Sequence, residues 1–538
     1  MGPINLRYCT VFLCAGLVAA CGGSSGDSGQ PSAQPAENEV LVAQGRISGS
    51  IEGELRVFRG VRYAAPLIPQ NRFTAPGPPL SIEETYIADS FGPPCIQPRG
   101  DGVTGSEDCL FANIWAHRDL ASRPVIVYLH GGRRNGSAGS MPSIDGAAIA
   151  SSTGAVFVSV NRRLGVLGYL ALEELIAENP RRTAGNYGVL DSIQALRWVQ
   201  DSIAAFNGDP QRVMLVGHSF GGRMICSLLA APEAAGLFHA VALLSGTCTD
   251  RSILSSQIDA YTNNPPLLDE HPLLLDATGC AGDVDVLQCL RNLPAAELIV
   301  AGEYLETVLP NENYPFRPAI DGVVVQSDPY TALGNKLVGD VAVIAGTSEK
   351  DVEYLLAKQE IVTDEDYRNL LRQIFPPPLD AQLYALYPTA DFESPKDAYV
   401  MLGSDYLEHC VAEELTRSAR GAGMPAYLYL VTRGFDNGTR AGLGALHAIV
   451  TIYLFENFAA WHYMPDAAAL AITSTLRTGL ANVARDVQVA PALTADGGLI
   501  WPAYDATTKA YINFDEPVEP LINHSNGRCE ELRQLLPL

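Results

Sequence analysis

The sequence predicts an α/β domain with a mostly parallel central sheet and helices on both of its faces. Three observations point there. From Val40 onward, short apolar, β-branched runs alternate with helical patterns, and near-continuous apolar strands between helices are what a sheet buried on both sides requires. Neither a second linker nor an internal repeat interrupts the chain after that point. One large domain over residues 40–538 is therefore expected, although length alone would allow three or four. Of the 538 residues, 47% are hydrophobic and 18% charged, which is too apolar and too weakly charged for a disordered chain.

Taken in order, residues 1–20 read as a targeting segment. Arg7 supplies positive charge, and Thr10 to Ala20 is an apolar stretch ending in small residues. It falls short of the roughly 20 residues that span a bilayer and fits an export signal. The run Leu17-Val18-Ala19-Ala20-Cys21 resembles a bacterial lipobox, which implies cleavage before Cys21 and lipidation of its thiol. Residues 21–39, rich in Gly, Ser, Gln and Pro without an apolar period, read as a flexible tether. The expectation is an exported, lipid-anchored protein of the bacterial cell envelope, facing the periplasm or on the outer membrane, or released from it.

Strands are expected at 125–130, 156–161, 212–217, 241–245, 341–345 and 426–431. Between the second and third, Ile193, Leu196, Val199, Ile203 and Phe206 recur at three- and four-residue spacing, the apolar stripe of a helix. The net charge of −24 argues against nucleic acid as a partner, because phosphate is held mainly by basic side chains. Eleven cysteines are present. Three lie at or before position 21, and eight remain for the exported protein, where an even number suggests disulfides. The absence of C-x-x-C, H-x-x-x-H and H-E-x-x-H patterns gives no reason to expect zinc, and no cofactor is expected.

The chemistry lies in Arg212-Val-Met-Leu-Val-Gly217-His218-Ser219-Phe220-Gly221-Gly222, a strand, G-x-S-x-G, then a helix. Glycines on both sides of the serine allow a sharp turn that lifts its hydroxyl above the sheet edge. The chain is similar here to the type-B carboxylesterase and cholinesterase-like family of α/β hydrolases. The same resemblance is carried by Phe58-Arg-Gly60-Val-Arg-Tyr63-Ala-Ala-Pro66, Arg72-Phe73, Ser106-Glu-Asp-Cys109-Leu-Phe-Ala-Asn113, His130-Gly-Gly132, and Gly185-Asn186-Tyr-Gly188 through Asp191 and Trp198 to Phe206-Asn-Gly208-Asp209-Pro210.

That resemblance implies an α/β-hydrolase fold and hydrolysis of small-molecule carboxylic esters through an acyl-enzyme, without cofactor. Ser219 would be the nucleophile. His447, in Gly444-Ala-Leu-His447, would be the base; His524 also follows the nucleophile but lacks a motif. The family's triad glutamate falls on Asp351, with Glu349, Glu353 or three solvated loop charges as alternatives. The order serine, acid, histidine suits such hydrolases. The oxyanion donors map onto the backbone N–H groups of Gly132, Arg133 and Phe220, each contributing roughly 3–4 kcal/mol.

Departures from the family pattern are His218 in place of a glutamate, Val450 where an acid often stands, and Phe220 where a small residue is usual. His218 is expected to pack under the nucleophile turn, and Phe220 to narrow the pocket or pack behind it. Arg133 replaces a small residue and adjoins Arg134. The two either select carboxylate-bearing substrates or point to solvent. The resemblance also pairs Cys95 with Cys109, Cys280 with Cys289, and Cys410 with Cys529, leaving Cys226 and Cys248, which are expected as free thiols with a fourth bridge as the alternative. Amide, carbamate or lactone hydrolysis on the same site is a rival reading. A non-catalytic adhesion domain is another, but such relatives have generally lost the nucleophile or base. Substrate choice would rest on loops over 250–340 and 355–400, which carry no readable motif.

Overall fold

The computed structural model describes residues 36–100, 102–132, 136–248, 271–308, 315–356, 359–486, 492–494 and 498–536. The proposed signal, Cys21, Arg133 and Arg134 lie outside these residues. The folded part reaches ahead of the expected start at residue 40: Asn38 Nδ2 donates to Ser48 Oγ and Gly49 O at 3.0 and 2.9 Å, and a strand opens at Glu39.

Eleven strands form the main sheet. They are β1 Ser50–Glu52, β2 Leu55–Arg62, β3 Phe111–His117, β4 Arg123–Leu129, β5 Val156–Val160, β6 Gly208–His218, β7 Ala240–Leu244, β8 Ala342–Ser348, β9 Ala426–Val431, β10 Tyr511–Phe514 and β11 Glu519–Leu521. Their spatial order is β11-β10-β9-β8-β7-β6-β4-β5-β3-β2-β1. From β5 through β4, β6, β7, β8 and β9 to β10 every pairing is parallel. Antiparallel strands finish both edges.

Why these runs became strands is visible in their alternation. Val125, Val127, Leu129, Val213, Leu215, Val241, Leu243, Val343 and Ala345 pack into one apolar cluster, whereas Ile126, Tyr128, Met214, Val216, Ala242, Leu244 and Ile344 pack into a second. Neighbouring side chains on a strand point to opposite faces, so a sheet covered on both sides must be apolar at every position. One face is covered by α1 Tyr187–Ser202, which carries Ile193, Leu196 and Val199 of the predicted stripe while Ile203 and Phe206 fall in the 3₁₀ turn that follows it, and by α2 Phe220–Leu229 and α3 Cys410–Gly421. The other is covered by α4 Ile449–Phe455 and α5 Ala467–Arg485.

Beyond Ser348 the described part of the segment expected as pocket loops folds into helices Asp364–Ile374, Leu379–Leu386 and Pro395–Ser404. With the C-terminal helix Arg528–Leu535 they enclose a third apolar cluster that includes Val352, Tyr367, Tyr387, Leu402 and Leu532. Motif residues away from the strand ends hold the frame. Arg163 is paired with buried Asp191 at 2.6 Å, and Arg72 with Glu107 at 2.6 Å.

The cysteines require one correction. Disulfides Cys95–Cys109, Cys280–Cys289 and Cys410–Cys529 are present, and Cys226 and Cys248 are not free but form a fourth. Cys226 lies on α2 and Cys248 just past β7, elements packed against each other, and both are buried. Separation along the chain gave no hint of that proximity.

Candidate active site

The carboxyl ends of parallel strands are where α/β sheets gather their functional groups, and the singled-out residues stand there. Ser219 follows β6, Asp351 follows β8, His447 lies in the connection after β9, and His130-Gly131-Gly132 follows β4. Ser219 adopts φ 55°, ψ −124°, a backbone state that costs on the order of 1–3 kcal/mol and persists where its surroundings impose it. The surroundings are backbone. A Cβ on Gly217 would run into Gly221, and one on Gly221 into the Leu129 carbonyl. The strained turn therefore packs directly against β4, with α2 beginning at the next residue.

Three side chains distant in sequence converge. His447 Nε2 lies 2.8 Å from Ser219 Oγ, and His447 Nδ1 makes a short hydrogen bond with Asp351 Oδ1. Asp351 is fully buried, and its Oδ2 accepts from Ser245 Oγ at 2.6 Å and from the Ser348 N–H at 2.8 Å. Among the described residues neither Glu349 nor Glu353 hydrogen-bonds to His447. His524 stands elsewhere, buried against Glu413 at 3.3 Å. Glu413, His524 and Cys529 lie within reach of one another, but Cys529 is tied to Cys410 and Glu413 also accepts from Arg533 at 2.9 Å, so the sulfur is not offered as a thiolate ligand.

The carboxylate fixes which nitrogen of His447 carries the proton. With Nδ1–H held by Asp351, the Nε2 lone pair faces the serine hydroxyl, as a general base must. Burial disfavours the imidazolium, but the charge of Asp351 and the hydrogen bond to it outweigh that and hold His447 above the usual histidine range. Asp351 moves the other way: burial pushes it up, and His447 with the donors Ser245 and Ser348 pulls it below the usual carboxylate range.

His218 does not pack under the turn. Its Nε2 lies 3.0 Å from the His447 carbonyl and its ring is 4.9 Å from the His447 ring. Burial and the neighbouring His447 push it down to about 3, so the ring is neutral and donates to that carbonyl. Phe220 packs behind the site, edge-on to Tyr169 at 6.0 Å and beneath the Arg162 guanidinium at 5.3 Å, and is buried. Gly132, at φ +97°, turns the strand end towards the serine. A Cβ on Gly131 would lie 3.1 Å from Ser219 Cβ, so this loop borders Ser219.

Sequence reasoning missed Ser245, Ser348 and Tyr354, whose ring lies 4.9 Å from that of His447. The available signal was positional, since Ser245 and Ser348 both stand at carboxyl ends of strands expected to be parallel.

Comparison with known proteins agrees with the geometry. The sequence profile described as "Carboxylesterase family" matches residues 36–531. The para-nitrobenzyl esterase of Bacillus subtilis (strain 168) is 28% identical over 498 residues, covering 89% of this chain and 95% of that protein. The fumonisin B1 esterase of Sphingopyxis macrogoltabida is 28% identical over 426 residues, 77% of this chain and 74% of that one. Among solved structures, a Geobacillus stearothermophilus carboxylesterase superposes with a TM-score of 0.77 at 26% identity, covering 92% of this chain and 99% of its own.

Proposed function

The chain belongs to the carboxylesterase family and is a carboxylic ester hydrolase, and from that premise we propose that Ser219, His447 and Asp351 carry the reaction. His447 Nε2 takes the Ser219 proton as Oγ attacks the ester carbonyl. Negative charge develops on the carbonyl oxygen, where the N–H groups of Gly132, Arg133 and Phe220 stabilise it. The imidazolium then protonates the leaving alcohol, and a water activated by the same imidazole releases the acid. Asp351 stays ionised throughout and orients the ring. The observation that carries this reading is the 2.8 Å approach of His447 Nε2 to Ser219 Oγ with Asp351 on the opposite ring nitrogen. Ser219→Ala keeps the Cβ and the fold but removes the attacking oxygen. Turnover of a chromogenic ester is expected to fall by on the order of 10⁶; a variant that still turns over refutes the assignment.

Export and a lipid on Cys21 belong to the same reading. Four disulfides suit an oxidising compartment, and the residues before Cys21 have the lipobox pattern. In detergent phase partitioning of the expressed protein, Cys21→Ser should move the enzyme from the detergent phase to the aqueous phase. At the pocket mouth the open choice is whether Arg133 and Arg134 select carboxylate-bearing esters or point to solvent. Replacing each with Ala should lower the ratio of anionic to neutral ester turnover in the first case, and an unchanged ratio ends that idea.

A further inference from the structure

The segment entering α3 makes one π-helical turn over Asp405–His409, a local widening that is rare and frequently found at functional sites. It turns Glu408 inward. The Glu408 side chain is only 7% exposed, its Oε1 stands 3.9 Å from Arg223 Nη2, and its Oε2 has no hydrogen-bond partner among the described residues. Arg223 lies one turn along α2 from the nucleophile, its N–H donating to the Ser219 carbonyl at 3.2 Å. The residue after Glu408 is joined to the catalytic acid: His409 Nε2 donates to Ser348 O at 2.8 Å, and the Ser348 N–H donates to Asp351. A buried carboxyl oxygen without a hydrogen-bond donor is costly, and this one sits between the helix of Ser219 and the loop of Asp351.

We propose that Glu408, opposed by Arg223, is a positioning residue that acts through His447, favouring the imidazolium that forms when Ser219 gives up its proton. Positions 218 and 450, beside Ser219 and just past His447, hold His and Val, and Glu408 supplies a carboxylate from another element, between the helix of Ser219 and the loop of Asp351.

Around Glu408 stand Arg223 from α2, Asp351 from the acid loop, Thr247 from the loop after β7, and Tyr429 from β9. Asp405 and His409 share its own turn. Around His447 stand Asp351, His218, Tyr354, Glu408 and Arg223. Burial, then the charge of Asp351, push Glu408 up to about 7, so it and His447 exchange influence in the working pH range. The carboxylate raises His447, and the guanidinium lowers it.

The proposal rests on the triad assignment, and its test separates the two. The acid limb of kcat/KM for a neutral chromogenic ester is measured in Glu408→Gln, with Glu408→Met as a second variant of similar volume. Losing the carboxylate should move the limb to lower pH by about half to one unit, and fluorophosphonate labelling of Ser219 should follow the same profile. A limb that stays in place in both variants, or that moves upward, overturns the proposal. An active Ser219→Ala variant would instead overturn the triad itself.

Discussion

In the proposed mechanism the reactivity of Ser219 depends on a single proton, the one Asp351 holds on His447 Nδ1. Asp351→Asn would let the ring present the wrong nitrogen, and kcat should fall by about 10⁴ with the fold retained. The same bond sets the pH profile. His447 works as a base only when neutral, and its folded pKa is raised, so kcat/KM must fall as pH drops through a value above the ordinary 6.5 or so. A wild-type profile whose acid limb lies well below 6 contradicts this account. Ser219 and His447 could be singled out as candidates because their patterns are local, a strand–G-x-S-x-G–helix run and a G-x-x-H loop. Ser245, with φ 45° just past β7, and Glu408 were not legible. Apart from the place of Ser245 at the carboxyl end of a strand, nothing in their neighbours along the chain distinguishes them, and separate elements bring them to the surroundings of Asp351.

Elements were legible where burial is two-sided. The six predicted strands are the inner parallel ones, whose unbroken apolar runs are forced by helices on both faces. The strands β2 and β3 escaped because Leu55–Arg62 and Phe111–His117 mix Arg, Gly, Asn and His into their apolar positions, and β10 and β11 because they are short. The π-helical turn shows the same limit. Within it His409 Nδ1 faces Asp405 Oδ1 at 2.7 Å while Nε2 faces a carbonyl oxygen. Both partners only accept, so His409 carries both protons and is a buried cation. Asp405 also accepts from Arg528 Nε at 2.7 Å and Tyr387 OH at 2.9 Å. Asp405→Ala would leave an imidazolium and a guanidinium without their carboxylate, and should cost about 3–5 kcal/mol in urea unfolding at neutral pH. The linkage has two signs. Burial raises Asp405, but His409 and Arg528 hold it far below the usual carboxylate range, so its stabilisation is full above about pH 4 and is lost as pH falls. Burial lowers His409 and Asp405 raises it, with a net shift upward, so its share is full below about pH 6.5 and is lost as pH rises through the raised value. The wild-type advantage over Asp405→Ala should therefore be greatest between those limits, and a pH-independent difference would disprove the charge argument.

At the scale of the molecule the proposed catalytic acid, Asp351, adjoins a cluster that is separate from the two faces of the sheet. Val352, next to Asp351, packs with Tyr367, Tyr387, Leu402, Cys410, Cys529 and Leu532, and the Cys410–Cys529 bridge closes 119 residues around it. The other bridges close 22, 14 and 9 residues. If a disulfide acts chiefly on the unfolded chain, its contribution grows slowly with loop length, from about 3 kcal/mol near 15 residues to about 4.7 near 100. Replacing each pair by serines should then lower the urea midpoint most for Cys410 and Cys529 and least for Cys280 and Cys289. Position adds a second effect for the long loop. A loosened third cluster frees the loop of Asp351 before the sheet unfolds, so in the Cys410→Ser, Cys529→Ser variant ester hydrolysis should disappear at lower urea than the far-ultraviolet circular dichroism signal. In the Cys280→Ser, Cys289→Ser variant the two should fall together. Coincident transitions in the first variant would mean that the cluster does not hold the acid loop, and a reversed order of midpoints would mean that native-state strain outweighs chain entropy.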